Sequence, residues 1–79
     1  MTHNSMWMAI NALAQNNHMS CSRLARVSGL DPTTFNKSKR FSKYGQPRWL
    51  GMETIAKVLK TTGTSFTEFA QMMDDTKQS

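Results

Sequence analysis

Residues 29–40 read GLDPTTFNKSKR. Gly29 closes one segment, and Asp31-Pro32 opens the next. Aspartate at a helix start accepts a bond from an orphan backbone N–H, and proline at the first helical position has no N–H to waste. The spacing predicts a helix from Asp31 to about Arg40. Its composition is unusual for a helix that only has to fold. Lys37, Lys39 and Arg40 place three cations within four residues, with no acid among them. Phe35 and Ser38 fall on one side of such a helix, and Thr33, Asn36, Lys37 and Arg40 on the other.

The twenty residues 21–40 then read as a helix-turn-helix. A preceding helix follows Ser20 and ends near Ser28, with Leu24, Ala25 and Val27 as its apolar positions. Small Ala25 lets the second helix come close. Gly29 supplies the positive φ that a tight turn needs. Leu24, Leu30 and Phe35 form the wedge between the two helices.

Three more helices complete an all-α, five-helix expectation. The first runs from about Met6 to Asn16, with Ser5 as N-cap and Trp7, Ile10, Leu13 and Ala14 as its apolar stripe. The polar run QNNH (15–18) stops it. The segment KRFSKYGQPRWL (39–50) reads as a loop, because Gly45 and Pro47 break any helix. Phe41, Tyr44 and Trp49 are expected to fix that loop to the body of the domain. A fourth helix starts near Met52, buries Ile55, Ala56, Val58 and Leu59, and ends at Gly63. Ser65 to Glu68 is a capping box for the fifth, whose stripe is Phe66, Phe69, Ala70 and Met73. Residues 5–73 form one domain, and DDTKQS (74–79) reads as a tail or the start of a linker.

Composition narrows the function classes. The chain has 79 residues and one cysteine, Cys21, so it forms no internal disulfide and no thiolate zinc cluster. No apolar run approaches the roughly 18 residues of a membrane span. The start, MTHNSMWM, lacks the basic-then-apolar order of a signal peptide, so a cytoplasmic protein is expected. His3 and His18 stand fifteen positions apart without nearby ligands, so neither a metal nor a cofactor is expected. Paired carboxylates, triad spacing and a phosphate loop are all lacking, which argues against an enzyme. An RNP-like strand with stacking aromatics is lacking too, which argues against that mode of RNA binding.

The net charge is +5, and its placement says more than its size. Nine of the ten Lys and Arg residues lie between Arg23 and Lys60, with only Asp31 and Glu53 as acids in that interval. A bias of this kind suggests a polyanionic partner.

With these residues in view, the chain resembles the lambda-repressor-like DNA-binding domains of the Cro/CI (XRE) class. The similarity runs from about Trp7 to Met73, and GLDPTTFNKSKR with RWLGMETIAKVLKTTGTSFTEF is its most specific part. It is particularly similar to phage-repressor-like regulators of alphaproteobacteria. The resemblance implies a five-helix module that reads operator DNA. In many relatives an autoproteolytic domain with a Ser-Lys dyad follows, and nothing in these 79 residues matches one.

On this expectation Thr33, Thr34, Asn36, Lys37 and Arg40 read base edges in the major groove. Lysine donates to guanine, asparagine pairs with adenine, and threonine offers a hydroxyl or a methyl. Phosphate contacts fall to Lys39, Lys43 and Arg48 in the loop. They also fall to the helix start at Cys21, Ser22 and Arg23. One recognition helix covers one half-site, so the domain is expected to bind double-stranded operator DNA as a homodimer and repress transcription. A protein-interaction module, such as the antitoxin of a toxin–antitoxin pair, is the alternative. It calls for an exposed apolar patch on the last helix.

Overall fold

The computed structural model describes residues 2–78. They form four α-helices: α1 (His3–Asn16), α2 (Cys21–Val27), α3 (Met52–Thr62) and α4 (Phe66–Gln78). None of the described helices is long and apolar enough to cross a membrane. The all-α class holds, but residues 31–40 form no α-helix. They form a turn followed by one 3-10 turn, η1 (Lys37–Lys39).

α1 is the central element. It packs along α4 and against α2, and α2 in turn touches α3. Met6, Trp7, Ala9, Ile10, Leu13 and Ala14 are all buried, a wider face than one stripe because the helix is covered on two sides. Its N-cap is Thr2 and not Ser5. Thr2 Oγ1 accepts from Ser5 N at 3.0 Å, and Ser5 Oγ accepts from Thr2 N at 2.9 Å. Ser5 thus closes a capping box from inside the helix, where it is buried.

α1, α2 and α3 all end the same way. A residue with positive φ (His18 at 57°, Gly29 at 77°, Gly63 at 66°) turns the chain. The next N–H then reaches back five residues: Met19 to Ala14 O, Leu30 to Ala25 O, Thr64 to Leu59 O. This closure satisfies carbonyls that a helix end would otherwise leave bare. Two of the three sites are glycine, which adopts the conformation without strain. The third is histidine.

The wedge expected between two helices has only α2 on one side, because residues 31–40 form no helix, but its residues do pack inward. Leu24, Ala25 and Phe35 are buried in the core, and Leu30 packs against it. Ile55, Val58 and Leu59 from α3 and Phe69 and Met73 from α4 complete the core. Ala56, expected inside, is exposed, as are Val27, Phe66 and Ala70. Ser65 Oγ caps α4 by accepting from Glu68 N at 3.0 Å. The helix continues past Met73 to Gln78, through residues that the composition reads as a tail.

Candidate nucleic-acid interface

The break in residues 31–40 has a local cause. Asp31 Oδ1 accepts from both Thr33 N (2.8 Å) and Thr33 Oγ1 (2.6 Å). Thr34 Oγ1 and Thr34 N both donate to Asp31 O. The Asn36 amide bonds Thr33 O, again three residues back, and Asn36 itself is extended with ψ 149°. Short polar side chains offer the backbone partners that compete with helical ladders. Only Phe35 in this stretch is buried, so little apolar area rewards a longer helix. The two threonine hydroxyls spend their protons on Asp31. They present acceptor lone pairs and methyls outward. The Thr33 hydroxyl, then the Thr33 amide, hold the Asp31 carboxyl below its ordinary value, and Lys39 adds to the pull.

Asn36, Lys37 and Lys39 are exposed, as a base or phosphate contact requires. Arg40 is not placed to read a base. Its guanidinium lies 5.6 Å from the centre of the Trp7 ring, and its Nε is buried with no hydrogen-bond partner. The pull of an aromatic face on a cation turns this side chain inward.

The segment 40–48 is a hairpin and not an irregular loop. Phe41 and Pro47 pair across it, Arg48 N donates to Arg40 O at 2.9 Å, and Ser42 N donates to Gln46 O at 2.8 Å. Gly45, at φ 80°, turns the tip. Ser42 Oγ accepts from Tyr44 N and Gln46 N, each at 3.2 Å, which fixes the tip from within. The base of the hairpin rests on α1. The His3 ring lies 5.0 Å from Phe41 and 5.8 Å from Trp49, and Trp7 Nε1 donates to Arg48 O at 3.1 Å. Phe41 and Trp49 thus hold the segment to the body as expected. Tyr44 does not: it stands at the tip, 81% exposed, with Lys43 Nζ 5.2 Å from its ring centre.

The turn at Asp31 and the returning arm of the hairpin enclose a groove of about 400 Å³. Asp31, Thr33, Thr34 and Lys39 line it, together with Arg48, Trp49 and Gly51. Gly51 is the N-cap of α3 and has no side chain to occupy the first amides of that helix. Among the described residues, the one ion pair is Glu53 with Lys57 on the outer face of α3. Among the described residues, the cations of residues 23–48 therefore have no carboxylate within ion-pair distance.

The start of α2 is a weaker anion site than expected. The helix has seven residues, and Ser20 Oγ already accepts from Arg23 N. Cys21 is half-buried, with its thiol donating to Asn11 Oδ1 at 2.9 Å. Burial pushes that thiol up, against the opposing pull of Arg40. Ser22 and Arg23 are exposed. Among the described residues no three His, Cys, Asp or Glu side chains come together as a metal site.

Sequence reasoning missed the hairpin and its anchor His3. A glycine three residues after Ser42, followed by proline with aromatics on both arms, is the signal that could have found it. No family model matches this chain, and neither a curated protein nor a solved structure matches it.

Proposed function

We propose that this domain binds double-stranded DNA, as the operator-reading module of a phage-type transcriptional repressor of lambda-repressor-like ancestry. One observation carries the reading. Lys39 and Arg48 border a single groove, neither in an ion pair among the described residues, with Asp31 as the one acid in its lining and Lys37 and Lys43 exposed on the adjoining turn and hairpin. Polyanion binding draws its affinity from such cations. The buried corner of Leu24, Ala25 and Phe35 around Gly29 supports a helix-turn-helix ancestry.

Asn36 and Lys37 are the base readers in this proposal, with Thr33 and Thr34 as acceptors or methyl contacts. Lys39, Lys43, Arg48 and Arg23 meet phosphates. Arg40 leaves the list of readers and instead supports the turn from beneath. The protein acts in the cytoplasm, without catalysis, as a homodimer on two half-sites about one DNA turn apart.

The test is selection of bound duplexes from a random pool, followed by titration at several salt concentrations. An enriched palindrome, bound above random DNA at every salt, is the expected result. Weak binding that vanishes with salt and enriches no sequence would sink it.

A protein-interaction module is the second reading, and one feature favours it. An apolar groove of about 260 Å³ runs between α3 and α4, walled by Trp49, Met52, Ile55, Phe66 and Phe69. Met52 and Phe66 are exposed there. Failure of the DNA selection would make this groove the next surface to probe.

A further inference from the structure

The hairpin does more than close a loop. We propose that its tip, Lys43-Tyr44-Gly45, is a second DNA-contacting element that enters the minor groove beside the turn at Asp31. This deepens the duplex reading above and rests on it.

Four observations lead here. First, Tyr44 is the most exposed of the large apolar side chains, while Lys43 lies against its ring. From Pro32 to Met52 the chain has five cations and no acid, so the surroundings of this ring suit a polyanion better than an apolar partner. Second, the tip is held in shape before any partner arrives. Ser42 Oγ holds two of its amides, and Gly45 N donates to Ser42 O. A preordered loop loses little freedom on binding. Third, the arm that returns from the tip carries Arg48 and Trp49 into the same groove as Thr33, Thr34 and Lys39. The hairpin and the base-reading turn are therefore neighbours on one surface. Fourth, size selects the groove. A two-stranded ribbon fits the major groove, but a minor groove about 6 Å wide admits only a thin element such as one ring on a tight turn. Narrow minor grooves also attract cations most strongly.

A single-stranded partner fits less well. Strand-binding surfaces offer several free rings in succession. Here His3 packs on the half-exposed Phe41 and Trp49, and Tyr44 is the most open ring of the three.

The experiment uses the full chain and the duplex enriched from the random pool. A second duplex replaces the adenines flanking the half-site with 2,6-diaminopurine. That base adds an amino group to the minor groove and leaves the major-groove edge as it was. The wild type should lose about tenfold in affinity on the modified duplex. Tyr44→Ala should lose about tenfold on the plain duplex and then ignore the modification. Its unfolding temperature should match the wild type, since Tyr44 makes no core contact. The proposal falls if Tyr44→Ala binds the plain duplex like the wild type, or if the wild type ignores diaminopurine. It also falls if a single strand displaces the duplex at equal concentration. If the wild type binds no duplex at all, the DNA reading itself fails, which is visible before any variant is made.

Discussion

His3 Nε2 lies 2.8 Å from the main-chain oxygen of Arg40, 37 residues further along the chain. The same nitrogen is 3.0 Å from Trp7 Nε1. A carbonyl can only accept, so Nε2 carries the proton and donates to Arg40. Trp7 then gives its own N–H to Arg48 O. Two main-chain oxygens at the foot of the hairpin are therefore held by two side chains of α1. His3→Ala should cost about 1–2 kcal/mol and speed hydrogen exchange at the Arg48 amide more than at core amides of α1. Equal exchange at Arg48 in both proteins would mean that the hairpin stands without its anchor.

His18 occupies the left-handed position that glycine fills at the ends of α2 and α3. Side chains other than glycine are strained there by about 1 kcal/mol. His18→Gly should raise the unfolding temperature by several degrees, and Gly29→Ala should lower it by a similar amount. Calorimetry on the two variants checks both signs.

Lys37 and Lys39 sit two residues apart on η1 but have different tasks in the proposed complex. Lys37→Ala should relax preference at one base pair. Lys39→Ala should weaken binding to all duplexes alike and lower the salt slope by about one. Uniform weakening by both would displace the base-reading surface from this turn.

Asp31 is held ionised by the Thr33 hydroxyl and amide. Its carboxyl titrates lower in the folded chain than in the unfolded one. The turn it stabilises is thus fully present above the ordinary carboxylate range and is lost as pH falls below that range. Amide resonances of Thr33 and Thr34 followed by NMR should move in that window. In Asp31→Asn they should hold still.

The four α-helices were legible from apolar spacing, helped by caps at α2 and α4, although the α1 cap is Thr2 and α3 has no side-chain cap at its start. Ser20 and Ser65 cap where expected, and Gly29 and Gly63 close where expected. The helix expected at 31–40 was not, because the residues that make a good helix start also make a closed turn. Asp31 and two threonines satisfy one another, and Phe35 alone is buried. Composition could place the exposed cations, but not the direction of Arg40. That depends on the Trp7 ring, thirty-three positions earlier in the chain. The register of the hairpin likewise depends on His3, which no local pattern links to residues 40–48.

Both tryptophans of the chain lie near His3 at the foot of the hairpin. Trp7 is buried beneath Arg40 and bonded to Arg48 O, while Trp49 is 54% exposed on the returning arm and borders both grooves. No indole sits elsewhere to dilute their signal. The molecule thus carries an intrinsic optical reporter of hairpin docking, in which quenchers in solution reach one emitter and not the other. A change in accessible emission on adding a ligand would locate the event at this end of the domain without any label.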